Sequence, residues 1–197
     1  MEKKVLILVN HDLVIYNFRR ELVERLLSDG YQVVISSPYG GRIDELVAMG
    51  CTYIESKFER HGTNPIKEIK LLHYYKKLMK EVKPYVVLTY TIKPNIYGAI
   101  AAKKYGIPCI ANITGLGTAV ENGGLLQKIT VLMYKMAFSN IHRIFFQNTE
   151  NKSFFNEYNI ATDKHKLIPG SGVNLQHFHV LEYPSADTIE FVFISRV

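Results

Sequence analysis

Seven short runs rich in β-branched and aromatic residues recur along the chain, at 4–9 (KVLILV), 32–36 (QVVIS), 52–54, 85–90 (YVVLTY), 107–112, 141–147 (IHRIFFQ) and 166–168. Helical periodicity fills most of the intervals. Strands separated by amphipathic helices specify βα units and a mostly parallel sheet, because a parallel neighbour is reached only through a crossover. After the first run, Phe18, Leu22 and Leu26 stand at four-residue spacing with Val23 and Leu27 beside them, and Gly30 follows as a helix-ending glycine does. Gly50 and Gly106 repeat the device, each followed at once by a strand run. An α/β fold is expected.

Within 197 residues, 47% apolar and 21% charged residues suit one soluble domain with a packed core. Cys51 and Cys109 each lie in an apolar stretch with no C-x-x-C spacing, so both are expected as buried, reduced thiols of a cytoplasmic protein. The opening MEKKVLILVNHD offers five apolar residues before Asn10, too few for a signal peptide or a spanning helix. Charge is unevenly placed. Between residues 67 and 104 stand nine Lys and two Glu, a balance of +7 against a total of +6, so the rest of the chain sums to −1. Such a segment is a solvated helix face or a surface for phosphates, an anionic membrane or nucleic acid.

Several common motifs are missing. No G-x-x-x-x-G-K-[ST] is present, and the first strand run leads into NHDLVIYN without the glycines of a dinucleotide fingerprint. Gly115-Leu-Gly117 and Gly170-Ser-Gly172 lack a third glycine, no G-x-S-x-G occurs, and the seven histidines are scattered, which argues against a metal site. Tyr74, Tyr75 and Tyr85 have a plainer account than base stacking. Ile69, Leu72, Tyr75, Met79 and Val82 form one apolar stripe, with Lys70, Lys76, Lys77, Lys80 and Lys83 over the remainder, so no nucleic-acid partner is expected. At 125–138, apolar residues including Leu125, Leu132 and Met136 run nearly round the helix, which suits either burial or contact with lipid.

Parallel α/β sheets bind ligands at the carboxyl ends of their strands. The loops there, NHDLVIYN, SPYGG, FERHGTNP, TYTIKPNIYG, NITGLGTA and QNTEN, are rich in Asn, Thr, Gly, His and Lys. Four ordered stretches, FERHGTNPIKEIK (58–70), YTIKPNIYGAIAAKKYGIPCIANITGLGTA (90–119), FFQNTENKSFF (145–155) and IPGSGVNLQHF (168–178), resemble the N-terminal half of bacterial family 4 glycosyltransferases. The nearest type includes capsule and surface-polysaccharide enzymes and lipid-linked N-acetylgalactosaminyltransferases. The resemblance implies a Rossmann-like doubly wound sheet, half of a GT-B enzyme. It implies an acceptor-binding domain over 1–187 and, in TIEFVFISRV, the first strand of a nucleotide-sugar domain over 188–197. By the same resemblance no metal or cofactor is required, and the donor is a nucleotide-sugar, UDP-linked.

Retaining sugar transfer needs a neutralised diphosphate leaving group, a stabilised oxocarbenium-like sugar and an acceptor hydroxyl held in line. The implied role of this half is the last. Arg60 and Asn64 are expected to grip the acceptor. Thr91, Lys93 and Asn95, ahead of a helix expected to start near Ile96, are expected to meet its anionic group, and Thr114, Gly115 and Gly117 to let backbone approach the sugar. His11, Asn148, Glu150, Ser171 and Gly172 are expected to line the cleft. The catalytic residues on the donor side are not expected in these residues. A saccharide on undecaprenyl diphosphate is the implied acceptor, with peripheral attachment to the inner face of the cytoplasmic membrane through Lys76, Lys77, Lys80, Leu125, Leu132 and Met136. A GT-B sugar-nucleotide epimerase half and a non-catalytic anion-binding module remain the alternatives.

Overall fold

The computed structural model describes residues 3–58, 64–117, 120, 123–182, 185, 188–189 and 191–194. Each apolar run yields a strand: β1 (Lys4–Leu8), β2 (Gln32–Ser37), β3 (Thr52–Glu55), β4 (Val86–Tyr90), β5 (Cys109–Ile113), β6 (Arg143–Phe146) and β7 (His165–Leu167). They form one parallel sheet in the order β3-β2-β1-β4-β5-β6-β7. The helices between them are α1 (Asp12–Phe18), α2 (Arg20–Ser28), α3 (Ile43–Ala48), α4 (Pro65–Val82), α5 (Ala99–Lys104), α6 (Gly124–Ala137) and α7 (Thr149–Glu157). The order reverses between β1 and β4, and right-handed crossovers then put the helices before the reversal on one face and those after it on the other.

Two cores record that reversal. On one face Val5, Ile7, Val33 and Ile35 pack with Ile15, Val23, Ile43 and Leu46 of α1, α2 and α3. On the other, Leu6, Leu8, Val87, Ala111, Ile144 and Phe146 pack with α4, α5, α6 and α7. The second core holds an aromatic cluster in which Tyr134 meets Phe138 at 5.2 Å and Phe155 at 5.1 Å, and Phe155 meets Phe146 at 5.1 Å between ring centroids. Cys51 and Cys109 are buried free thiols, and burial pushes them up to about 11 and about 12.

Three expectations change in detail. The helix after β1 is broken at Arg19 into α1 and α2, and its buried apolar residues are Ile15 and Val23, while Phe18 is 54% exposed. On α4 the buried face is Leu71, Tyr75, Leu78, Met79 and Val82, with Ile69 turned outward. The helix after β4 is already under way at Ile92 and passes through a π-helical turn, Pro94–Gly98, before α5. Pro94 supplies no N–H there, and Gly98 lies so close to the sheet that a Cβ would stand 2.9 Å from Leu8 Cδ1. Ile189, Phe191, Val192, Phe193 and Ile194 are exposed.

Candidate functional site

The carboxyl ends of β1, β4 and β5 lie side by side, with Leu8 paired to Thr89 and Tyr90 to Asn112. Reversal of strand order parts the flanking helices between β1 and β4 and leaves a crevice at that edge. At the end of β1 the Oδ1 of Asn10 is buried without a hydrogen-bond partner among the described residues. At the end of β4 Thr91 adopts a positive φ of 71°, costly for a β-branched residue and characteristic of functional sites. After β5, Thr114 and Gly115 are exposed above buried Leu116. A Cβ on Gly117 would lie 3.2 Å from Ile92 Cδ1. The loop after β5 thus rests on the start of the helix after β4, bringing Thr91, Thr114, Gly115 and Gly117 to one rim.

Other candidates are spent locally. His11 caps α1, its Nδ1 accepting the Leu13 N–H at 3.2 Å and lying 2.9 Å from Asp12 Oδ1. Asn64 caps α4, its Oδ1 accepting from Ile66 N at 3.0 Å. Asn148 caps α7 by accepting from Asn151 N at 2.8 Å, and Glu150, exposed beside it, accepts from Thr149 Oγ1. Arg60 lies outside the described residues.

Lys93 and Asn95 are engaged inside the fold. The Lys93 ammonium donates to Glu68 Oε1 at 2.7 Å, and both side chains are mostly buried, so its charge is already neutralised by α4. Burial, with Glu68 next in weight, holds the neighbouring Tyr97 phenol above its ordinary value. Asn95 is 2% exposed and donates to the main-chain carbonyl of Asn112 at 3.1 Å. It faces the Tyr134 hydroxyl, whose ionisation burial opposes and Asn95 favours. Asn95 therefore ties the π-helical turn to β5 and presents no surface to a ligand.

Two buried charges escaped the motif search. Asp12, 2% exposed, accepts the Arg42 N–H at 2.7 Å and abuts Gly40, holding the loop after β2 against α1. Arg19, 8% exposed, lies 5.2 Å from the Tyr90 ring centroid and donates to Ser171 Oγ at 2.7 Å. Its sequence signal is position: Arg19 falls four residues after Ile15 and four before Val23, a cation within an apolar stripe.

The expected lipid surface is mixed. On α6, Thr130, Val131, Tyr134 and Ala137 face the core, whereas Leu125 (74% exposed), Ile129, Leu132 (57%) and Met136 form an outward stripe. That helix is core on one side and apolar surface on the other. On α4, Lys80 is exposed, Lys77 lies 3.7 Å from the Glu81 carboxylate and Lys76 is half-buried. No helix among the described residues is long and apolar enough to cross a membrane.

Residues 4–148 match the family model described as glycosyl transferase 4-like. The chain belongs to that family. It is 27% identical over 169 residues to the N,N'-diacetylbacillosaminyl-diphospho-undecaprenol alpha-1,3-N-acetylgalactosaminyltransferase of Campylobacter jejuni, covering 83% of this chain and 45% of that one. Among solved structures it resembles a glycosyltransferase from Rickettsia africae, with a TM-score of 0.67 and 17% identity over 90% of this chain and 45% of that one. It also resembles the UDP-N-acetylglucosamine 2-epimerase of Rickettsia bellii, with a TM-score of 0.59 and 16% identity over 87% and 45% of the two chains. At such identities the likeness is one of fold, a Rossmann-like unit of the kind that builds half of GT-B glycosyltransferases and epimerases. The chain spans about half the length of the relatives it matches.

Proposed function

We propose that these residues are the acceptor-binding half of a retaining glycosyltransferase that moves a sugar from a nucleotide-sugar, UDP-linked, to a saccharide on undecaprenyl diphosphate. The observation that carries this reading is the match to an enzyme whose named acceptor is a diphospho-undecaprenol-linked sugar, over 83% of the chain. The crevice supports it. Thr91, Thr114 and the Gly115–Gly117 backbone offer donors and acceptors at one rim, the chemistry by which a sugar's hydroxyls are oriented for attack. A metal-free mechanism and a donor held by a second domain, over 188 onward, complete the proposal.

The apolar stripe on α6 supports an acceptor presented at a membrane. A soluble acceptor would not call for Leu125, Ile129, Leu132 and Met136 outside, whereas an interfacial helix places such a stripe in the headgroup region with lysines at its margins. Attachment is accordingly peripheral, on the inner face of the cytoplasmic membrane, in surface polysaccharide or glycan synthesis.

The test is transfer of labelled sugar from a panel of UDP-sugars to undecaprenyl-diphosphate-linked saccharide by the full-length enzyme, with the product's anomeric configuration read by NMR. A lipid-extractable product that keeps the donor's configuration is expected. Interconversion of the UDP-sugars without lipid would instead identify an epimerase.

A further inference from the structure

Arg19 is an unusual cation. Burial of a guanidinium ordinarily requires a carboxylate, yet among the described residues none pairs with it. Its partners are neutral: the main-chain carbonyl of Phe18 and Ser171 Oγ at Nη1, and the Tyr90 ring. When the Asn112 amide is oriented so that its nitrogen donates to Phe145 O, its oxygen accepts from Arg19 Nη2 at 2.6 Å. The same guanidinium therefore touches the last residue of β4, the end of β5 and the loop after β7.

That loop is shaped to reach it. Gly170 (φ +84°) and Gly172 (φ +76°) bracket Ser171, two left-handed residues that glycine adopts without steric cost, and between them the serine hydroxyl turns inward. Gln147 Nε2 donates to the same Oγ at 3.1 Å. A second tether follows, where Asn174 Nδ2 donates to Glu21 Oε1 at 3.0 Å while its Oδ1 accepts from Gln176 and His177 N–H. Asn174 helps hold the Glu21 carboxyl below its usual range, after a main-chain hydrogen bond. The residues from 169 to 182 are otherwise largely exposed, so polar tethers to α2 and β6 set their course.

We propose that Arg19 is a positioning residue that couples the segment 169–178 to the acceptor-side strand ends, so that a change at Thr91 or Thr114 is felt at Ser171 and the reverse. The inference rests on the reading of the β4 and β5 loops as the acceptor rim, and it identifies what the Gly-Ser-Gly motif is for. A guanidinium suits the task because its planar fork directs several donors at fixed angles, which a lysine ammonium does not.

Amide hydrogen exchange of the ligand-free chain tests the coupling without reference to catalysis. Arg19→Gln is expected to speed exchange at least tenfold both at 170–177 and at 91–93 and 113–117, with β1 and β2 unchanged. Ser171→Ala, a mild change in an exposed loop that keeps the test alive if the Arg19 variant folds poorly, should speed exchange at 91–93 and 113–117 too. An effect confined to residues near 171 would overturn the proposal. In the full-length transferase, Ser171→Ala is expected to lower kcat several-fold at unchanged acceptor KM, since every group at the acceptor rim is retained. A rise in KM alone would make the loop a binding element and overturn the coupling. If the full-length enzyme transfers no sugar while the exchange pattern holds, the functional reading fails and the coupling stands.

Discussion

His11, Asn64 and Asn148 stand out in the sequence because they are polar and follow strands, where ligands bind. The structure uses each as a helix N-cap. In a parallel α/β sheet the carboxyl end of a strand is also where the next helix begins, so capping and ligand chemistry select the same residue types at the same positions. Thr91 and Gly117 separate from that background only through φ values and contacts that a sequence does not display. Gly40 is a case in point. A Cβ there would lie 2.3 Å from Asp12 Oδ1, and the buried carboxylate, held by Arg42 N–H, has no room to yield. Gly40→Ala is expected to cost about 1–3 kcal/mol, measured by urea unfolding, whereas Gly41→Ala, which meets nothing within 4 Å, should be close to neutral. His165 makes the second prediction at this scale. Its Nε2–H donates to Ile160 O at 2.8 Å, Nδ1 is buried without a hydrogen-bond partner among the described residues, and the ring stacks edge-on against Phe146. Burial first, then Lys152, depresses its titration, with Ile160 O and Asp163 opposing. A depressed histidine binds its proton more weakly when folded than when unfolded. Its contribution is therefore whole above its ordinary value of about 6.5 and falls as pH drops below that. Unfolding free energies at pH 7.5 and 5.5 should differ less in His165→Gln than in wild type, and an equal difference would remove His165 from the acid sensitivity.

At the scale of elements, strand positions and helix existence were legible because apolar periodicity reports them directly. Helix faces were less so. The stripe read on α4 included Ile69, which is 57% exposed, and missed Leu71 and Leu78, both buried. In a helix with apolar residues at 66, 69, 71, 72, 74, 75, 78, 79 and 82, more than one stripe fits, and only packing against the sheet decides. The π-helical turn was likewise invisible, since it arises where Pro94 meets the close approach of Gly98 to Leu8. For α6 the periodicity does not choose, because the helix has one buried apolar side and one exposed. The two sides make opposite predictions. Tyr134→Ala opens the aromatic cluster among Phe138, Phe155 and β6 and should cost about 3–5 kcal/mol. Leu132→Asp, on the outward side, should leave the unfolding midpoint nearly unchanged and reduce sedimentation with lipid vesicles. If both changes destabilise alike, the outward stripe is packed in solution rather than offered to a membrane.

Across the whole molecule, the crossovers that reverse the sheet also sort charge. On the face of α1, α2 and α3 three exposed arginines are matched: Arg20 with Glu24, Arg25 with Asp29 and Arg42 with Glu45, each within 2.9 Å. The opposite face carries α4 and α5, the segment of nine Lys and two Glu, and those two Glu are engaged with Lys93 and Lys77. A surplus of cations therefore lies on the face that also bears the apolar stripe of α6. Apolar burial alone would bind neutral and anionic vesicles alike and ignore salt. Charge adds about 1 kcal/mol, or about fivefold, for each lysine near an anionic surface, and it is screened as the Debye length shrinks from about 10 Å at 0.1 M salt to about 3 Å at 1 M. Binding to vesicles containing phosphatidylglycerol is therefore expected at low salt, to weaken steeply by 1 M, and to be much poorer on phosphatidylcholine alone. Reversing Lys76, Lys77 and Lys80 to Glu should weaken it further, with Lys80→Glu giving the largest single effect, because Lys76 is half-buried and Lys77 stands beside Glu81. Affinity that ignores salt and these charges but falls with Leu132→Asp would leave α6 as the sole anchor. Affinity that ignores all of them would detach this face from the membrane and with it the orientation proposed for the acceptor.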